Sequence, residues 1–102
     1  MTASAGTFRF TGELWLYEGD AAWYFIDLPE ELSDQIDAEY GHIARGFGSQ
    51  KVEVTIGTTT WSTSIFPSKA RETFMLPVKK AVRTAQGLTG GSKAKVELRI
   101  IT

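Results

Sequence analysis

The sequence predicts a mainly β protein, a small closed six-stranded, mostly antiparallel barrel with two short helices. Three observations lead to this prediction. Several segments alternate apolar and polar residues, a glycine falls among the apolar positions of the first, and two further segments have helical periodicity after a proline. Alternation with a period of two is typical of strands with one buried face. A glycine on the buried side is typical of the sharp coiling that a small barrel requires.

The composition is that of one globular domain. The chain has 102 residues, a formal net charge of −1 and no cysteine. The absence of cysteine excludes disulfides, thiolate metal sites and cysteine nucleophiles, and it is consistent with a cytoplasmic location. We expect a flexible N-terminus over residues 1–6 and a single barrel domain over residues 7–102. No apolar stretch approaches the roughly 20 residues that cross a bilayer, so we expect no membrane partner.

The first strand is predicted over Thr7–Glu18, with Gly12 among its inward positions. The other inward positions are Phe8, Phe10, Leu14 and Leu16. Trp15 and Tyr17 have the opposite parity and should lie outside the barrel. We expect a helix to cover these two rings; the alternative is an exposed aromatic patch that contacts a partner.

Five more strands complete the predicted barrel. A turn at Glu18–Asp20 predicts a hairpin with the second strand, and turn residues separate most of the others. The predicted ranges are Ala22–Leu28, Lys51–Ile56, Thr59–Phe66, Thr73–Leu76 and Lys95–Ile101.

Two helices are predicted, each beginning at a proline, because proline fits the first helical position. Pro29 opens the first helix, which ends at Gly41 and carries the apolar stripe Leu32, Ile36 and Tyr40. Pro77 opens the second helix, which ends at Gly87. Its predicted apolar stripe is Val78, Ala81, Val82 and Ala85.

The chain from Phe8 to Ile101 resembles the family catalogued as domain of unknown function 1905. The matching segments are "FRFTGEL", "AAWYFIDLPEEL", "RGFGSQKVEVTIGTTTWSTSIFPSK" and "FMLPVKKAVRTAQGLTGG". The resemblance implies a small closed β-barrel with two helices. It implies no activity, since the family is named for lacking a known one.

A shorter segment resembles the swapped-hairpin barrels of AbrB-like DNA-binding proteins. The shared pattern is a proline, a basic amphipathic helix, a glycine turn and a strand. Those proteins usually carry an acid just after the turn glycine, whereas here Gly91 is followed by Ser92. This resemblance implies a dimeric DNA-binding regulator.

The cations of the second helix are the first candidate site. Lys79 and Arg83 are four residues apart and share a helical face, with Lys80 to one side. They could hold a phosphate, a carboxylate or a nucleic-acid backbone. The alternative is a solvated face, in which cations near a helix C-terminus are stabilised by the helix dipole.

The loop "RGFGS" is the second candidate site. Its glycines would allow backbone N–H groups to converge on an anion, with Arg45 as a clamp and Phe47 as an apolar lid. The alternative is that the glycines provide a tight entry into the next strand. The segment matches no phosphate-binding motif, because "GFGSQK" lacks the third glycine of the dinucleotide fingerprint.

Few residues suggest catalysis. His42 is the only histidine, and Ser62 and Ser64 lack the sequence context of a nucleophile elbow. Glu30 and Glu31 are explained by the positive N-terminus of a helix. The sequence therefore favours a protein that is not an enzyme and needs no cofactor or metal.

We predict a small binding or interaction module for a small anionic ligand or an acidic peptide. The predicted ligand-binding residues are Arg45, Phe47, Ser64, Lys79 and Arg83, around a mouth formed by "RGFGS" and the basic helix. A dimeric DNA-binding regulator is the alternative, although the net charge disfavours nucleic acid. A hydrolase-type enzyme ranks last. We expect a monomer or a weak homodimer.

Overall fold

The six strands form a closed barrel in the order β1-β2-β5-β4-β3-β6, and every neighbouring pair is antiparallel. A computed structural model describes residues 6–19 and 22–102. The strands are β1 (Thr7–Tyr17), β2 (Trp23–Asp27), β3 (Gln50–Ile56), β4 (Thr59–Ser68), β5 (Thr73–Pro77) and β6 (Lys93–Ile100). Two helices, α1 (Glu30–Tyr40) and α2 (Lys80–Gln86), decorate the barrel. The predicted fold class is confirmed.

The buried faces of the strands follow the predicted parity. Side chains that alternate along β3 and β6 fill the barrel because consecutive strand residues point to opposite faces. The buried apolar residues of these two strands are Val52, Val54, Ile56, Ala94, Val96, Leu98 and Ile100. Trp61 and Ile65 of β4 are buried in the same core.

β1 changes partner near its middle. Its residues Thr7–Glu13 pair with β6, whereas Leu14–Tyr17 pair with β2. Gly12 lies at this change of partner, where a β-carbon would collide with the side chain of Ile26. The glycine therefore gives the strand room to turn across the core. Leu16, predicted to point inward, is 44% exposed, since this end of β1 extends past the core.

α1 is fixed to one end of the barrel by its own apolar stripe and by two hydroxyl groups. Ile36 is fully buried, and Leu32 and Tyr40 pack against the core as predicted. The buried Ser33 hydroxyl bonds to that of Thr73 and accepts a hydrogen bond from the Phe74 backbone N–H at 3.0 Å. The helix ends at Gly41, as predicted.

α2 begins three residues later than predicted. Pro77 is the last residue of β5, and Val78 continues the sheet by donating its N–H to the Tyr24 carbonyl at 2.9 Å. The helix then runs from Lys80 to a left-handed Gly87 with φ 63°. Because of this shift Ala81 and Ala85 are exposed, so the predicted stripe is wrong at both alanines.

α1 and α2 lie at opposite ends of the barrel. Gln50, at the start of β3, donates its side-chain amide to the Tyr40 carbonyl of α1 at 2.8 Å. Gln86 of α2 instead donates to the Thr59 hydroxyl, beyond the other end of β3, at 2.8 Å. Both ends of the described chain lie beside α1, where the Ile100 N–H donates to the Gly6 carbonyl at 2.8 Å. The predicted flexible N-terminus falls mostly on residues 1–5, which lie outside the described residues.

Candidate functional site

The predicted site residues fall in three separate places. Lys79 and Arg83 lie together at the α2 end, as expected from their spacing. Arg45 and Phe47 lie in the loop between α1 and β3, at the other end of the barrel. Ser64 lies on the outer wall of β4, opposite Lys51 of β3. The structure therefore does not bring these residues together around one mouth.

Arg83 is the most firmly positioned cation of the α2 end. Its Nε donates to the Val78 carbonyl at 3.2 Å. Its guanidinium carbon lies 4.0 Å from the centre of the Tyr24 ring, a cation–π contact. Two contacts from different elements hold the side chain, so a ligand would lose less of its binding free energy to ordering Arg83.

Lys79 and Lys80 lie beside Arg83 around a cavity of about 300 Å³, here called the basic groove. Its remaining walls are backbone and side chains of two segments, Ala22–Tyr24 and Pro77–Val78. Within the described ranges 6–19 and 22–102, no acidic side chain lines the basic groove, and its three cations form no salt bridge. The groove thus has the positive charge that an anion site requires, beside a wall that includes Trp23 and Tyr24.

The helix dipole accounts for only one of these three cations. Lys79 is the N-cap residue of α2 and Lys80 is its first residue, whereas Arg83 lies in the last turn. Cations are stabilised at the C-terminus of a helix, by about 0.3–1 kcal/mol each, and are disfavoured at its N-terminus. The solvated-face interpretation therefore lacks its electrostatic support at both lysines.

A cluster of four aromatic rings lies on the outer wall of β1 and β2. Its members, here called the aromatic cluster, are Trp15, Tyr17, Trp23 and Phe25. Tyr17 and Trp23 are 50% and 53% exposed, and Trp15 contacts Asp27, Phe25 and Arg71, none of which is in a helix. The expectation that a helix covers Trp15 and Tyr17 is therefore wrong. A cavity of about 340 Å³ lies between Tyr17, Trp23, Phe25 and Met75, here called the apolar cavity.

Trp15 is held in place by an ion pair. Its indole N–H donates to one carboxylate oxygen of Asp27 at 2.9 Å, and the Arg71 Nε donates to the other at 2.5 Å. The Arg71 guanidinium carbon lies 3.8 Å from the centre of the Trp15 ring. These contacts cover Trp15 and make it a rigid support beneath the more exposed rings.

Trp23 and Tyr24 were not predicted as site residues. Both are in the hairpin partner of β1, where alternation sends Trp23 outward and Tyr24 toward α2. An outward tryptophan directly across from Tyr17 was the available signal, because cross-strand aromatic pairs lie on one face of a sheet.

The loop "RGFGS" uses three of its five N–H groups in internal hydrogen bonds. The N–H of Arg45 donates to the Ser49 carbonyl, that of Gly48 to the Arg45 carbonyl, and that of Ser49 to the Gly46 carbonyl. Its geometry therefore gives little support to a backbone cradle for an anion. Phe47 has a fully exposed side chain and a left-handed backbone with φ 60°.

Other site chemistry has little support in the described part of the chain. No group of three or more His, Asp or Glu side chains there could hold a metal ion. Within residues 6–19 and 22–102, no helix is long and apolar enough to cross a membrane. His42 is exposed in a short 3-10 turn after α1.

Comparison with known proteins identifies a family without an assigned role. No curated protein matches the chain. The family model described as Domain of unknown function (DUF1905) matches residues 10–98, which spans all six strands and both helices apart from the outer ends of β1 and β6. The chain therefore belongs to the DUF1905 family, as its segments and its closed barrel together indicate.

Proposed function

We propose that this protein is a binding module that holds an anionic group in the basic groove. The proposal rests on the position of Arg83. The Tyr24 ring and the Val78 carbonyl hold its guanidinium in one place, beside two lysines. A guanidinium with a fixed plane can recognise a carboxylate or a phosphate through paired hydrogen bonds. Lys79 and Lys80 add positive charge, and their flexible ammonium groups do not require a particular orientation of the ligand.

A second cation-bearing groove is a weaker candidate. It has a volume of about 450 Å³ and lies on the wall of β1 and β6, with Arg9 and Lys95 in its lining. Glu97 also lines it and accepts a hydrogen bond from the Arg9 Nε at 3.0 Å. An arriving anion would have to compete with that carboxylate, so we favour the basic groove.

The two other functions receive less support. The barrel closes within one chain, so it does not require the exchanged hairpin of an AbrB-like dimer. A Ser–His–Asp hydrolase would need a histidine and a carboxylate near its nucleophile, and neither residue type is among the described residues that line the cavity at Ser64. A cytoplasmic location stays a prediction based on cysteine usage.

Titration with inorganic pyrophosphate, followed by NMR, tests the proposed site. We expect the largest chemical-shift changes at the Arg83 side-chain N–H and at the Tyr24 ring. The double variant Lys79→Gln/Lys80→Gln should weaken binding by about tenfold or more, because two of three cations are lost while Arg83 keeps its contacts.

The matched control is Lys51→Gln/Lys69→Gln, which removes the same charge away from α2. It should leave pyrophosphate binding nearly unchanged. If both double variants weaken binding equally, or if the shifts spread evenly over the surface, the anion responds to overall charge and the proposed site is wrong.

A further inference from the structure

We infer that the ligand is an extended acidic peptide that carries a bulky apolar residue next to its acidic residues. The inference rests on the proposed function and adds a second subsite to it. The acidic side chains would enter the basic groove, and the apolar side chain would enter the apolar cavity.

The two cavities are adjacent because they share a wall. Trp23 lines both the basic groove and the apolar cavity. In addition, Phe25 of the apolar cavity is the cross-strand partner of Pro77, which lines the basic groove. Neighbouring strands lie about 4.8 Å apart, and an extended chain rises about 3.3 Å per residue. One to three residues of peptide would therefore span the two cavities.

The apolar cavity has the surface chemistry for a hydrocarbon side chain. Two aromatic side chains, Trp23 and Phe25, are stacked with an interplanar angle of 11°, and Met75 adds a flexible thioether. Tyr17 provides the only side-chain hydroxyl among the four lining residues.

The exposure of the rings also favours a peptide over a small molecule. Small-molecule sites enclose most of the surface of their ligand. Here Tyr17 and Trp23 are each about half exposed, so the surface is shallow and continuous. Large, rigid aromatic side chains of this kind are enriched at protein interaction sites.

The distribution of charge disfavours a single-stranded nucleic acid. Such ligands need cations along the whole path of the phosphates, next to the rings on which the bases stack. Three described cations of this surface lie at the α2 end, whereas beside the rings Arg71 is already paired with Asp27 and Glu18 follows Tyr17 directly. Charge complementarity therefore selects a ligand with a negative end and an apolar end.

Calorimetric titration of three capped peptides tests the inference. The first has the sequence Gly-Phe-Gly-Glu-Glu-Gly, the second replaces its Phe with Ala, and the third replaces both Glu with Gln. We expect the first to bind at least about tenfold more tightly than either of the others, since only it occupies both cavities.

The variant Tyr17→Ala separates the two subsites, because Tyr17 lines the apolar cavity and not the basic groove. It should abolish the advantage of the Phe peptide and leave pyrophosphate binding unchanged. Phe47→Ala is the matched control, as it removes an exposed ring at the other end of the barrel. Trp23→Ala is a second variant, expected to weaken both ligands.

Each other outcome contradicts the inference in a distinct way. Equal affinity for the Phe and Ala peptides, with pyrophosphate still bound, would overturn the peptide subsite and leave the proposed function standing. Tighter binding of an oligouridine than of the peptide, sensitive to Tyr17→Ala, would show a nucleic-acid surface instead. If the unmodified protein binds neither pyrophosphate nor the Phe peptide, the proposed function and the inference are both wrong.

Discussion

Phe47 combines two unfavourable features in one residue. Its ring is fully exposed, and its backbone lies in the left-handed region with φ 60° and ψ 21°. For a residue with a β-carbon this backbone region costs about 1–2 kcal/mol. Flanking glycines at 46 and 48 allow the tight turn, but they do not relieve the strain at Phe47 itself. The sequence indicated that Phe47 lies in a loop. It did not indicate the backbone conformation of Phe47, because φ there depends on how the turn closes.

We expect Phe47→Asn to stabilise the protein by about 0.5–1 kcal/mol, because asparagine tolerates the left-handed region. For a domain of this size such a gain raises the midpoint of thermal unfolding by several degrees. Phe47→Ala is the control, since it removes the ring but retains the β-carbon. If alanine stabilises as much as asparagine, the exposed ring rather than the backbone is the source of the cost.

The elements of this fold differ in how well their sequence patterns determine them. The strands were predictable because a shift of one residue would move every apolar side chain to the outside of the barrel. The start of α2, in contrast, was not predictable from the sequence pattern. Val78 and Val82 are buried whether the helix begins at Pro77 or at Lys80, and only the long-range bond from Val78 to Tyr24 decides between the two.

The partner change of β1 yields a prediction at the level of the strand. Gly12→Ala should destabilise the protein by about 1–3 kcal/mol, since the new methyl group collides with the buried Ile26. Gly46→Ala is the control, because a β-carbon there has no neighbour within 4 Å and the glycine does not have a positive φ. Chemical denaturation measures both. A Gly12→Ala variant within about 0.5 kcal/mol of the parent would mean that the core adapts easily at this crossing.

At the scale of the whole molecule, alternation correctly separated inside from outside except at Leu16, but it did not show what covers the outside. The expected mouth combined residues from both ends of the barrel because chain order does not reveal which loops share an end. Trp15 and Tyr17 were expected beneath a helix, yet α1 and α2 occupy the two ends and leave Tyr17 and its neighbour Trp23 exposed. Such placements follow from packing between distant elements.

Closure of the barrel within one chain predicts unfolding that does not depend on association. The midpoint of thermal unfolding should stay constant over about a hundredfold range of protein concentration, because a monomer gains no stability from mass action. A midpoint that rises steadily with concentration, together with a dimer in sedimentation velocity, would instead show that association contributes to stability.

The hydrogen bond between Ile100 and Gly6 has a consequence for tagging or immobilising the protein and for its fusion to other polypeptides. A tag, a surface tether or a further polypeptide joined before Gly6 or after Ile100 emerges on the far side of the barrel from Arg83. Immobilised or fused copies should therefore keep the basic groove accessible. The same arrangement would allow the barrel to be inserted as a unit into a loop of another protein.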